Sequence, residues 1–270
     1  MPLNRSAGVR IVNTRLLITR PTWQGLPDRW FRACEQGARA LDVHCLFAPF
    51  ARLDPIDEAR EQSLAAALTA LGPRPLWLVA TSPASAEALG LCPRLLRLLT
   101  ERQNAPRLAA TGASSAQALR GVLGRTESEV LLPAQVGDAA SLAELLRGRA
   151  REEEAVVLLE GLDNRPDLAE ALGADGLLCL PLALYTRTPI TLAPLPPEPS
   201  NWWALLSSSA AVAPVLAGLS AQGIDAGRVH FMGHHPAIFE ALRLAQPTAR
   251  YEALPSLALD EVLSRITLMT

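Results

Sequence analysis

The chain nearly says the same thing twice. LWLVATSPASAEAL at 76–89, followed by RLAATGASSAQAL at 107–119, is echoed by NWWALLSSSAAVAPVL at 201–216 and RVHFMGHHPAIFEAL at 228–242. Each piece is an apolar run, a small polar turn and an Ala/Leu-rich helical pattern, so each half should carry its own sheet. In such α/β units the loops that meet ligands gather at the carboxyl ends of the strands. We therefore expect two three-layer parallel-sheet domains of class α/β, facing each other across an interdomain cleft.

The rest of the chain fills in this plan. An apolar run at 9–19 stops at Pro21 and leads into a helix at 26–37 that Gly37 ends, and 43–50 reads as a short strand placed by its proline at an edge. Helical patterns follow at 56–71, 85–89, 95–102, 114–123, 142–149 and 166–172, and Asp163 or Asn164 is available to cap the last. Strands fall at 76–80, 108–110, 130–133 and 177–185, with the very apolar AVVLLEG as a central strand entered through a solvated acidic turn at 152–154. PITLAPLPPEPS at 189–200 is too rich in proline for a central strand or helix and reads as an extended linker. Beyond it, strand and helix alternate, and a last helix starts near Ser256.

Two or three strands make too small a sheet for the carboxyl-terminal part alone, so the amino-terminal strand and helix must complete it. The expected division is 1–46 plus 196–270 as a discontinuous first domain and 56–184 as the second, with 47–55 and 185–195 as a two-stranded connecting ribbon.

Charge narrows the partners. Lys+Arg 25 against Asp+Glu 27 gives a net charge of −2, so no overall field draws in nucleic acid or an anionic membrane. Trp23, Trp30, Trp77, Trp202 and Trp203 are not interleaved with basic residues, and the last three read as core or cleft-wall aromatics. Every basic residue is an arginine, which suits bidentate carboxylate recognition wherever several converge. Cys34, Cys45, Cys92 and Cys179 are widely spaced and read as four reduced thiols, and neither an apolar leader nor a membrane span is expected, which together imply a cytoplasmic protein. Four scattered histidines offer no metal-ligand cluster apart from the adjacent His234 and His235, so no metal and no cofactor are expected. There is no GxGxxG, and the turns TSPAS and SSSAA lack the lysine of a phosphate-binding loop.

LLITRP at 16–21, ATSPASAEAL at 80–89, AATGASSAQAL at 109–119, GDAASLAELL at 137–146 and VVLLEGLDNRPDLAEALGADGLLCLPLALYTR at 156–187 follow one another in a known order. In that order the chain resembles the uroporphyrinogen-III synthase family over most of its length. The resemblance implies a cofactor-free cyclising lyase of porphyrin and heme biosynthesis, two α/β domains joined by a ribbon, and a linear tetrapyrrole, hydroxymethylbilane, as substrate. It further implies a monomer in transient contact with the preceding pathway enzyme.

That substrate carries eight carboxylates and a hydroxymethyl leaving group, so a site for it needs many anion contacts and one placed acid. Tyr185 resembles the family's tyrosine at the end of the strand leaving the second domain, and its phenol could protonate the departing hydroxyl. Thr81, Ser82, Gly112, Ser114, Ser115, Ser207, Ser208, Ser209 and Gly233 sit at helix starts, where backbone N–H groups can receive anions. Each could equally be a plain cap or turn residue. Arg20, Arg165 and Arg187 are candidates to pair with propionates or acetates, with Asp163 or Asp167 as rival partners for Arg165.

Two departures stand out. The family usually shows a Gly-Pro-Thr-Thr-Ala turn before its last pair of helices, whereas here the turn is Gly233-His234-His235-Pro236-Ala237. Pro236 occupies a usual threonine position, so a donor is lost there, and His234 or His235 could replace it. Glu160 also places an acid where a polyanion binder would avoid one. These departures keep a second reading open, that of a non-catalytic family relative which binds a tetrapyrrole or serves as a pathway partner. An exported two-lobed sugar or amino-acid binder shares the cleft logic but should carry a leader.

Overall fold

The computed structural model describes residues 14–125, 129–133, 139–164, 167–196 and 201–269. In chain order its elements are β1 Thr14–Ile18, β2 Thr22–Trp23, α1 Arg29–Arg39, β3 Val43–Phe47, β4 Ala51–Pro55 and α2 Glu58–Ala70. Then come β5 Leu76–Ala80, α3 Pro83–Gly90, α4 Pro93–Thr100, β6 Arg107–Ala110, α5 Ala113–Leu123, β7 Val130–Leu131 and α6 Ala139–Arg147. β8 Ala155–Gly161, α7 Asp167–Ala174, β9 Leu178–Pro189, β10 Asn201–Leu205 and α8 Val212–Ala221 follow, and β11 Val229–Gly233, α9 Pro236–Ala245, β12 Arg250–Ala253 and α10 Leu259–Met269 complete the chain. None of the described helices is long and apolar enough to cross a membrane.

The chain divides into two compact units, Met1–Leu53 with Thr188–Thr270, and Asp54–Arg187. The first holds a five-stranded sheet in the order β12-β11-β10-β1-β3, parallel throughout. Side chains alternate between its faces: Trp202, Ala204 and Phe231 meet Val212, Val215 and Ile238 on one side. Leu16, Trp203 and Met232 meet Phe31, Cys34, Val262 and Ile266 on the other. Both faces are covered by helices, as a parallel sheet requires.

The second unit is built on the seven-stranded sheet β2-β4-β9-β8-β5-β6-β7, whose first strand and the start of whose second belong to the other unit. β5 is buried along its whole length and β8 over its first five residues, each large aliphatic contributing about 1.5–3 kcal/mol by leaving water. Val79, Val156 and Leu158 pack on Leu142, Leu146, Leu168 and Leu172 of α6 and α7, while α3 and α5 cover the opposite face. β4 and β9 cross the boundary side by side and run in opposite directions, since Ile56 N–H donates to Leu184 O and Ile190 N–H to Phe50 O.

Several expectations are corrected. The first helix starts three residues late because Asp28 caps it, its carboxylate accepting from Phe31 N–H at 2.7 Å. Gly37 lies inside that helix instead of ending it, where Leu263 of α10 occupies the space a side chain would need. The strand expected at 43–50 stops at Phe47, and the chain re-enters a sheet only after Pro49. The acidic turn is not wholly solvated: Glu154 is buried, accepts from Trp77 Nε1 at 3.1 Å and Arg151 N–H at 3.0 Å, and pairs with Arg107. The proline-rich segment is not a free linker: Pro189 ends β9, and residues 190–196 are docked. Leu192 and Leu195 pack on the first unit's core, and Gln222 Oε1 accepts from Leu195 N–H at 2.6 Å.

Candidate functional site

The carboxyl ends of adjacent parallel strands lie at one edge of a sheet, so each unit brings its candidates together there. In the second unit these are the ends of β8, β5 and β6. Thr81 Oγ1 donates to Leu159 O at 2.9 Å, and Thr111 Oγ1 donates to Thr81 O at 3.0 Å, tying the three strand ends side by side. Ser82 caps α3 in a reciprocal box: its hydroxyl accepts from Ser85 N–H, and Ser85 Oγ accepts from Ser82 N–H, both at 3.1 Å. Gly112 caps α5 with open space where a Cβ would stand. Ser114 is exposed, and Ser115 is buried with its hydroxyl 3.5 Å from that of Thr111.

Tyr185 sits beside this set. Register between β8 and β9 slips by one residue, from Glu160 opposite Ala183 to Gly161 opposite Tyr185. A bulge of this kind re-aims a side chain, and here the ring lies over Gly161 so closely that a Cβ there would stand 2.9 Å from Cζ. Leu162 N–H donates to Tyr185 O at 2.7 Å and holds the arrangement. The ring is 3% exposed. Beside it lies a niche of about 20 Å³ lined by Gly161, Leu162, Asp163, Asn164, Tyr185 and Arg187, room for one water. Glu160 accepts from Asn164 Nδ2 at 3.0 Å, and burial pushes its carboxyl above the usual range in spite of that bond. Arg165 lies outside the described residues.

In the first unit the corresponding edge is formed by the ends of β1, β10 and β11. Thr19 is buried, its Oγ1 donating to Leu205 O at 2.7 Å, and Leu206 N–H donates to Met232 O at 2.8 Å. Arg20 is already engaged, with Asp28 Oδ2 at 3.2 Å and the Trp30 ring 5.2 Å from its guanidinium carbon. Ser208 precedes a short 3-10 turn at Ser209–Ala211, and Ser209 is exposed. Gly233 packs tightly, a Cβ there falling 3.2 Å from Leu206 O. His235 caps α9, its Nδ1 accepting from Ala237 N–H at 3.1 Å, which leaves Nε2 as its outward nitrogen. Ser207 Oγ and His234 Nδ1 are shielded from solvent and have no hydrogen-bond partner among the described residues. Burial, and then His235, hold the His234 imidazole below the ordinary histidine range.

Thr19, Thr111 and Gly161 are the residues that sequence reasoning left out of the site. The signal for the two threonines was available, since each directly follows a buried strand. Among the described residues no group of three or more His, Cys, Asp or Glu could hold a metal ion, and all four cysteines are free thiols.

Two open sheets, one parallel throughout and one parallel except where β4 meets β9, each gathering small polar residues and helix starts at its strand ends, define a two-unit α/β protein. A model of the family described as uroporphyrinogen-III synthase HemD matches residues 33–253, and the chain belongs to that family. At the family level this makes it a member of a group of lyases of tetrapyrrole biosynthesis. The fold is similar to that of a mutant uroporphyrinogen III synthase from Thermus thermophilus, with 18% identity, a TM-score of 0.55, and 93% of this chain and 99% of that chain covered. It is also similar to uroporphyrinogen-III synthetase from Helicobacter pylori, with 11% identity, a TM-score of 0.53, and 93% of this chain and 100% of that chain covered. No curated protein matches the sequence.

Proposed function

We propose that this chain closes hydroxymethylbilane to uroporphyrinogen III, inverting the terminal pyrrole ring, without metal or organic cofactor. The observation that carries this reading is Tyr185, seated on Gly161 beside a water-sized niche, in a chain matched to the family over residues 33–253. The substrate's hydroxyl must leave as water, and the Tyr185 phenol is proposed to donate the proton that lets it go, producing an azafulvene. The electrophilic carbon is then attacked by the substituted carbon of the terminal ring, and fragmentation and reclosure of the resulting spiro centre complete the inversion. Those later steps belong to the pyrroles, and the protein's task is to hold the chain bent.

The carboxylates are proposed to be met by strand-end groups, Thr81, Ser82, Gly112, Ser114 and Ser115 in one unit and Arg20, Ser207, Ser208, Ser209, Gly233, His234 and His235 in the other, and Arg165 is proposed as a further partner. We further propose a cytoplasmic monomer that receives its substrate from the preceding enzyme. A second reading, a relative that binds a tetrapyrrole without turning it over, draws on the same Tyr185, because a side chain 3% exposed must be uncovered before it can protonate anything.

Freshly made hydroxymethylbilane separates the two. With protein present the type III ring should exceed the spontaneous type I ring, and Tyr185→Phe should lower that rate by about a hundredfold. An isomer mixture unchanged by protein ends the enzyme reading.

A further inference from the structure

The side chains of α1 and β3 meet in two matching rows. β3 alternates between the faces of its sheet, with Val43, Cys45 and Phe47 on the side that α1 covers and Leu46 on the other. On α1, Phe31, Cys34 and Ala38 are buried against that same side, at the three- and four-residue spacing of one helix face. Helix and strand run back along each other, so the rows match in reverse order. One end of the match is marked by the rings of Phe31 and Phe47, whose centroids lie 5.1 Å apart, edge to face. One step inward on each row stand Cys34 and Cys45, and the Cys45 thiol donates to Cys34 Sγ.

Both cysteines are free thiols. Packing accounts for one buried cysteine, since a thiol behaves as a small hydrophobe, but it does not call for a second in contact with the first. Two sulfurs alone fall short of a metal-ligand cluster, and no group of three or more ligating residues lies among the described residues. The two thiols differ in access: Cys34 is wholly shielded, whereas Cys45 keeps part of its surface in solvent. Their hydrogen bond lowers the Cys34 thiol and raises that of Cys45. Cys34 is therefore the one that ionises first, and Cys45 the one that a reagent reaches.

We propose that Cys34 and Cys45 are a reversible dithiol pair, oxidised by low-molecular-weight disulfides, whose bridge fastens β3 to α1. In the first step the Cys34 thiolate takes the Cys45 proton while Cys45 Sγ attacks one sulfur of the reagent, whose S–S bond breaks and releases one thiolate. Cys34 then gives up its proton and attacks Cys45 Sγ, and the second thiolate leaves. The pair loses two protons and two electrons, and the reagent is reduced to two thiols. β3 is an edge strand, hydrogen-bonded to β1 alone, so the bridge adds a tie on a strand with a neighbour on one side only. This chemistry is independent of the activity proposed above.

Incubation of the native full chain with oxidised glutathione, then acid quenching, alkylation in denaturant and tryptic peptide mapping, tests the pair. Trypsin cuts after Arg32, Arg39 and Arg52, so the bridge would join peptides 33–39 and 40–52 until a reductant parts them. That joined product is expected, with only Cys92 and Cys179 of the four thiols alkylated. Both of those lie in the other unit, and burial pushes each up to about 11. In Cys34→Ser the second step has no attacking thiol, so glutathione should stay on Cys45. Should serine prove too polar for the core, Cys34→Ala makes the same test. Four thiols still free in the native chain, glutathione retained on Cys45 of the wild type, or a bridge to Cys92 or Cys179 in place of this one would overturn the proposal.

Discussion

Ser82 and Gly112 stand two positions past the last residues that β5 and β6 pair with each other, and Ser207 and His234 two past those that β10 and β11 pair with each other, although β11 itself runs on to Gly233 opposite Ala253 of β12. In the second unit these positions are consumed by the fold. Ser82 is locked in a reciprocal cap with Ser85, and Gly112 brings no side chain. Counted from that register the first unit's caps fall one residue later, and Ser207 Oγ and His234 Nδ1 are left shielded with no hydrogen-bond partner among the described residues. The cap falls three residues past the strand end at β10, against two at β5, β6 and β11, and Ser207 is the position that this later cap leaves over.

The comparison can be broken in several ways, and the largest effect is expected where the second unit has a side chain with no counterpart in the first. Gly161→Ala must push the Tyr185 ring aside, given a contact of 2.9 Å. Misplacement of about an ångström should lower type III formation by about a hundredfold, and steady-state rates would show it. A rate within a factor of two of the wild type would mean that the ring's seat is unimportant. Next, Ser207→Ala should lower the rate by about tenfold through the loss of one charged hydrogen bond.

Smaller effects concern stability. Thr19→Val removes a donor to Leu205 O at a buried strand end and should cost about 1 kcal/mol, read from the denaturant midpoint. The smallest effect is on pH dependence. His230 and His234 are both held below the ordinary value, chiefly by burial, so the folded chain binds fewer protons than the unfolded one. Their contribution is complete above a pH of about 6.5 and is lost as the pH falls through their folded values. His234→Asn should flatten the acid side of the stability profile, and an identical profile in that variant would exclude His234 as a source.

How much of this was legible beforehand follows physical lines. The repeat of apolar run, small turn and helical pattern announced β5, β6, β10 and β11 because strand burial and helix periodicity are local signals. AVVLLEG read as an internal strand for the same reason, and β8 lies between β9 and β5. Gly37 was read as a helix stop, but its reason for being glycine is Leu263, 226 positions later in the chain and invisible to any local pattern. Glu154 looked like one of three solvated acids, and only the fold brings Trp77 and Arg107 to it. The small residues after the strands were picked out as a set, yet TSP and SSS look alike as sequence. Which hydroxyl is occupied depends on where the helix is capped and on what the neighbouring strand presents.

Paired thermal melts of Ser82→Ala and Ser207→Ala test that contrast most directly. Loss of the Ser82 cap should cost about 1 kcal/mol, a fall of roughly 3 °C, whereas removing the unmet Ser207 hydroxyl should leave the melting temperature unchanged or raise it. Equal destabilisation by both substitutions would mean that Ser207 serves the fold as Ser82 does, and that no recognition group is held in reserve at the end of β10.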